Sequence, residues 1–222
     1  MSNRARLFWF ELAHGNSVAI KILRQQYGVW GAMELVTRMQ LRLIFSNPFK
    51  SLNARQKPTA NEKLSQHQMA PLVVLYLLLK EKGINEQEAL ASLSEVSNGV
   101  AIEFLRFNVP VIRKEQYADL SADAKYQQLE KMTGRFFNAE AILKLDENDS
   151  FSFNVQRCHF AHYSKLLGLP ELAPLFCDAD KLFFESHQPD VVFFRSQTLA
   201  SHQLPCDFNF SWRNSTVDQV VK

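Results

Sequence analysis

Phe151-Ser152-Phe153-Asn154-Val155-Gln156 alternates apolar and polar residues with a period of two, and this alternation decides the fold class. Successive side chains of an extended chain point to opposite faces, so the stretch predicts a half-buried β-strand. Cys206-Asp207-Phe208-Asn209-Phe210-Ser211-Trp212 repeats the pattern. It sets Cys206, Phe208, Phe210 and Trp212 on one face and Asp207, Asn209 and Ser211 on the other. Between the two, Val191 to Leu199 predicts a strand that starts apolar on both faces and is therefore buried there. Ala141 to Leu145 predicts a fourth strand.

Upstream the period changes to that of a helix. Ser17 to Phe45 carries Ile22, Val29, Met33 and Val36 at helical spacing, with Gly28 and Gly31 as points of bending. Ser46 to Pro58 is polar, contains Pro48 and Pro58, and reads as a loop. Thr59 with Glu62 has the spacing of a capping box, in which each side chain satisfies a free backbone N–H. The helix it opens runs to about Lys82, where Gly83 stops it. Asn85 with Glu88 repeats the signal and opens a helix to about Phe107, ended by Pro110. Ser121 to Phe137 predicts another, with Tyr126, Leu129 and Met132 on one stripe. Gly168 suits a helix C-cap and Pro170 a first helical turn, so helices fill the interval between the first two strands.

The fold expected is α+β: an N-terminal helical layer packed on a C-terminal antiparallel or mixed sheet with two inserted helices. The division expected is a helical region at 1–138, an α/β region at 139–213 and a flexible polar tail at 214–222.

Composition narrows the function classes. The net charge is +2 and the Lys and Arg residues are scattered, so neither nucleic acid nor an anionic membrane is an expected partner. The longest apolar run, Leu72 to Leu79, is far below the roughly 20 residues that a membrane span needs. Glu11 interrupts the apolar stretch after Arg4 and Arg6, which argues against a signal peptide. An odd number of cysteines, three, argues against a disulfide framework and for a reducing, cytoplasmic setting. No G-x-G-x-x-G, P-loop, G-x-S-x-G or H-E-x-x-H is present, so no cofactor is expected. A zinc site is the rival arrangement for the cysteines, but their spacings are long and no C-x-x-C occurs, so no metal is expected either.

The cysteines are Cys158, Cys177 and Cys206, all in the last 65 residues. Cys158 stands where a strand hands over to a helix, beside Arg157. The helix dipole and the guanidinium both favour a thiolate, which makes Cys158 a candidate nucleophile; the alternative is a small buried hydrophobe. His162 lies four residues on and could face it, whereas His159 is out of phase and reads as a surface histidine. Asp178 and Asp180 cannot share a helical face; Asp178 reads as a helix-start charge, and Asp180 could orient a base or bind a cationic substrate group. Arg195 interrupts an apolar strand and needs an anionic partner, either a substrate carboxylate or a structural carboxylate such as Asp207.

Five short motifs then occur in order: Phe153-Asn-Val-Gln-Arg-Cys-His-Phe-Ala, Leu167-Gly-Leu-Pro-Glu-Leu, Phe176-Cys-Asp-Ala-Asp, Arg195-Ser-Gln-Thr-Leu-Ala and Cys206-Asp-Phe. Over about sixty residues this resembles the L-2-amino-thiazoline-4-carboxylic acid hydrolase family. The family pattern has a glycine and an acidic residue between the last two motifs, where this chain has Ser201-His202-Gln203-Leu204-Pro205. The resemblance implies hydrolytic opening of a 2-aminothiazoline ring to an N-carbamoyl cysteine, hence a small-molecule substrate. The site expected has Cys158, Asp180, Cys177 and Cys206 as catalytic candidates, with Cys158 attacking and Cys177 and Cys206 lining the pocket. Arg195, Thr198, His162 and Asp207 are the substrate-binding candidates. A second reading is a non-catalytic module that holds a small hydrophobic or tetrapyrrole-type ligand among its phenylalanines. Thiol reactivity separates the two: an enzyme of this kind is expected to carry one thiol that iodoacetamide modifies fast at neutral pH.

Overall fold

The computed structural model describes residues 2–145 and 150–213; the expected tail at 214–222 lies outside them. In chain order come α1 (Asn3–Phe10), a π-helical turn (Glu11–Gly15), α2 (Asn16–Phe45), α3 (Lys50–Arg55), α4 (Ala60–Glu81), α5 (Glu86–Asn108), α6 (Lys114–Ala118) and α7 (Ala122–Thr133). There follow β1 (Ala139–Leu145), β2 (Phe151–Cys158), α8 (His159–Leu166), two 3-10 turns (Pro170–Leu172 and Pro174–Phe176), α9 (Asp178–His187), β3 (Val191–Phe194) and β4 (Cys206–Trp212). The architecture is α+β, a helical layer on one antiparallel sheet of strand order β1-β2-β4-β3.

The period-two pattern sets the sheet register. Phe151 pairs with Phe210, Phe153 with Phe208 and Val155 with Cys206, so the apolar faces of β2 and β4 coincide. The facing rings stack, with centroids 4.6 Å apart for Phe151–Phe210 and 4.6 Å for Phe153–Phe208. Each such aromatic cross-strand pair adds stabilisation beyond the area it buries. α9 seats Phe183 and Phe184 against this face, and Leu105 and Val109 from the end of α5 complete the core. A second core lies between α2, α4 and α5, and Leu172 and Leu175 enter it from the 3-10 turns. Both cores therefore draw residues from each side of position 139.

α4 begins as expected. The Thr59 hydroxyl accepts from the Glu62 N–H, and the Glu62 carboxylate accepts from the Thr59 N–H at 2.8 Å. Gly83 leaves the helix at φ 79°, a left-handed conformation that glycine takes without a Cβ clash. Four expectations are corrected. The segment read as a loop contains α3, anchored by buried Phe49. The helix through α2 breaks at Gly28 (φ 70°, ψ 176°), one of the two expected bending points, and it is the buried stripe that differs, because the break changes the helix phase. As a result Leu23, Ala32 and Leu35 are buried while Val29 and Met33 are exposed. α7 ends at Thr133, short of Phe137, and Tyr126 of its predicted stripe is exposed. β3 stops at Phe194 instead of reaching Leu199. The reason is Asp207, whose carboxylate accepts from the Ser196 and Gln197 N–H groups and turns the chain out of the ladder. Among the described residues no helix is long and apolar enough to cross a membrane.

Candidate active site

β2 delivers Cys158 to the N-cap of α8, and a 3-10 turn delivers Cys177 to the N-cap of α9. Asp180 lies in the first turn of α9, Arg195 just beyond β3, and Cys206 at the start of β4. These five side chains line one cavity of about 380 Å³. Its remaining walls are mostly aromatic and aliphatic, including Phe136, Phe153 and Phe208, with Asn61, Glu130, Thr133 and Asn138 as further polar members.

Arg195 and Asp180 form the polar centre. The guanidinium Nη1 donates to the Asp180 carboxylate at 2.9 Å, and Nη2 donates to the Cys177 carbonyl at 3.0 Å. The guanidinium carbon also lies 5.2 Å from the centroid of the Phe208 ring and 5.8 Å from that of Phe193. A planar cation stacked on two rings and held at both ends of its fork has little freedom to move. The structural partner anticipated for Arg195 is thus Asp180, not Asp207. Burial pushes the Asp180 carboxyl up to about 6, although the Arg195 charge pulls it down. A carboxyl at that value holds or releases a proton near neutral pH, as an acid–base group must.

The thiols depart from expectation. Burial pushes Cys158 up to about 11, outweighing the backbone N–H groups of Ala161 and Phe160 at the start of α8, which act the other way. Burial also raises Cys177 and Cys206; the Leu199 N–H donates to the Cys206 sulfur at 3.3 Å and partly opposes this. The helix N-terminus was expected to leave Cys158 depressed. In an aromatic cavity, desolvation of the thiolate is the larger effect.

The other three sequence candidates lie outside the cavity lining. His162 is exposed and packs edge-on against Tyr163. Cys158 is an extended N-cap residue rather than a helical one, so the four-residue spacing does not bring the two face to face. Thr198 caps a turn, its hydroxyl accepting from the Ser201 N–H at 3.0 Å. Burial alone would raise Asp207, but hydrogen bonds from Ser196 and Gln197 outweigh it and hold the carboxyl below its usual range. His159, read from the sequence as a surface residue, is buried, with Nδ1 2.8 Å from the Ser65 hydroxyl. That hydroxyl donates to the Asn61 carbonyl, so Nδ1 carries the proton in the His159–Ser65 bond. With the Arg157–Glu62 ion pair at 3.2 Å, the bond ties the β2–α8 junction, and so Cys158, to α4. Nothing in the residue types near His159 announces a partner 94 positions away. Among the described residues, no group of three His, Cys, Asp or Glu side chains is arranged to hold a metal ion.

A family model for L-2-amino-thiazoline-4-carboxylic acid hydrolases matches residues 62–210. The chain belongs to this family. The match begins in α4 and ends in β4, so the family unit includes the helix that carries Glu62 and Ser65 as well as the C-terminal motifs. It takes in Cys158, Cys177, Asp180, Arg195 and Cys206. No curated protein and no solved structure matches the chain. The hydrolase-family loop between Thr198 and Cys206, which lacks a glycine here, still contains a left-handed residue: Gln203 has φ 58°. A left-handed conformation at a residue with a Cβ costs about 1–2 kcal/mol.

Proposed function

We propose that the protein is a hydrolase that opens a small cyclic amidine such as 2-aminothiazoline-4-carboxylate. One observation carries the reading: three cysteines, an acid titrating near neutrality and a fixed arginine, spread over 49 residues of a family-matched segment, line one aromatic cavity.

The chemistry runs in two stages. The substrate's amidine group is cationic when protonated, and Asp180 is the anion placed to receive it. A cation entering beside Cys158 offsets the desolvation that keeps the thiol neutral. Asp180 then takes the thiol proton while the sulfur attacks the carbon between the ring nitrogen and ring sulfur. The bond from that carbon to Cys158 forms, the bond to the ring sulfur breaks, and Asp180 returns the proton to the departing thiolate. Water adds to the same carbon, Cys158 leaves as a thiol, the amidinium proton passes to solvent, and a ureido carbonyl remains. The net change is one water consumed and one carbon–sulfur bond hydrolysed. Arg195 holds Asp180 in place and turns its remaining N–H groups toward a substrate carboxylate.

A non-catalytic ligand-binding module is the second reading. The observation in its favour is that burial raises all three thiols. Incubation with 2-aminothiazoline-4-carboxylate and detection of the released thiol decides between them. The hydrolase reading expects turnover by the intact chain and none by Cys158→Ala. Full turnover by Cys158→Ala would remove the covalent step. Absence of turnover on any cyclic amidine, with tight ligand binding retained, would favour the module.

A further inference from the structure

A second cavity, of about 240 Å³, adjoins the first. Leu105, Phe136, Asn138, Phe160, Phe176 and Asp180 line both. Phe160 and Phe176 pack ring to ring at 4.4 Å, forming a partition between the polar chamber and the second one. Beyond them the walls are mostly aliphatic and aromatic side chains of α1, α2, α4 and α5, among them Leu23, Leu72 and Phe104, with Asn16, Gln40, Gln68 and Ser97 as polar members. At the far end Glu11 and His67 pair at 3.0 Å, and His67 is well exposed, so that end reaches solvent.

The wall near that end is unusual. Glu11–Gly15 is a π-helical turn between two α-helices, and both Glu11 and Gly15 line the chamber. A Cβ at Gly15 would lie 2.9 Å from the Phe10 ring, so the turn closes on a residue without a side chain. Single π-turns inside helices are frequent at functional sites. The residues from Leu7 to Gln40 that form this side of the chamber lie outside the family-matched segment.

We infer that the second chamber holds an apolar tail of the substrate, so that the preferred substrate is an amphipathic cyclic amidine with an alkyl or aryl substituent. The inference rests on the hydrolase reading for the head group. The head sits among Cys158, Asp180 and Arg195, and the tail passes beside the paired Phe160 and Phe176 rings, along Leu105, Phe136 and Asn138, into the helical layer. A chamber of this shape and lining is filled favourably by carbon and poorly by water.

The test uses the intact chain and two probe series. In the first, 2-aminothiazoline-4-carboxylates bear N-alkyl groups from methyl to octyl, and kcat/KM is measured for thiol release. The expected gain is about fourfold per methylene until the chamber is full. Ala19→Phe and Val100→Phe, each on a partly exposed chamber residue, are expected to flatten the rise and leave the unsubstituted parent unchanged. A flat series with normal turnover of the parent overturns the tail inference and leaves the hydrolase reading standing. In the second series, n-alkanols from butanol to decanol are titrated for affinity, with no head group involved. If no cyclic amidine is turned over, the hydrolase reading fails and the alkanols alone judge the chamber. Affinity that climbs with length and is flattened by both variants supports it, and affinity independent of length overturns it.

Discussion

Arg195→Met keeps an apolar stem beside Phe193 and Phe208 but removes the guanidinium that lies over both rings and carries the charge beside Asp180. In the native protein Asp180 titrates at about 6, against an ordinary 3.8, so the folded state binds its proton more tightly than the unfolded state does. The corresponding stability is fully present below the unfolded value and is lost as pH rises through the folded value. It amounts to about 3 kcal/mol at about 1.4 kcal/mol per pH unit. Loss of an adjacent arginine raises a carboxyl by about 1–3 units. In the variant the window therefore extends upward by that interval, and the variant falls behind the native chain by about 1.4–4 kcal/mol as pH climbs from 5 to 9. Urea unfolding of both chains at several pH values measures this. The decisive quantity is the difference between them, since groups common to both cancel. A gap that stays constant from pH 5 to 9 would refute the assignment of Asp180 as the titrating partner of Arg195. In the turnover assay the same change should move the acidic limb of the kcat/KM profile upward, because the proposed step needs the Asp180 carboxylate.

Cys158 of the free protein should react with iodoacetamide slowly at pH 7 and about tenfold faster per pH unit as its value of about 11 is approached, since only the thiolate attacks; mass-spectrometric labelling rates that are flat with pH would contradict this. Phe210→Ala removes a ring that stacks on Phe151 and packs on Phe184 and Phe193, and should cost about 3–5 kcal/mol in urea unfolding. A cost under about 1 kcal/mol would mean that the sheet face can collapse around the loss. Gln203→Gly relieves a left-handed residue worth about 1–2 kcal/mol and returns up to about 1 kcal/mol of backbone entropy, so thermal unfolding should show a neutral or slightly more stable protein. A clear destabilisation would show that the Gln203 side chain is needed where it stands.

The sheet was legible because its signal is local: Phe151, Phe153 and Val155 alternate with polar residues, and Cys206, Phe208 and Phe210 answer them in the same phase. The start of α4 was legible for the same reason, since Thr59 and Glu62 are only three residues apart. What escaped depends on contacts distant in sequence. The end of β3 is set by Asp207, 11 residues beyond Ser196. His159 turns inward because Ser65 waits on α4. The buried stripe of α2 changes phase at one glycine whose conformation the sequence leaves open. The location of the cavity was legible from Cys158, Cys177, Asp180, Arg195 and Cys206, but its electrostatics were not. Whether a thiol at a helix start is ionised depends on how much water the surrounding rings exclude, and those rings come from β2, α8, a 3-10 turn, α9 and β4 as well as from the segment before β1. The chamber behind Phe160 and Phe176 was invisible for a related reason, since α1 and α2 show their inner faces only when packed.

The strand order has a consequence for synthesis. Of the described strands β4 is the last to be made, yet it occupies an interior position, bonded to β2 on one side and β3 on the other. A nascent chain emerging from the ribosome can form its helices and the β1–β2 pair early, but β3 has no sheet to join until β4 emerges. Until then the rings of Phe151, Phe153 and Phe193 face an empty slot and two ladder edges stand open, the condition under which chains adhere to one another. The closing strand also brings Cys206, so the cavity gains its last wall in the same event that removes this hazard.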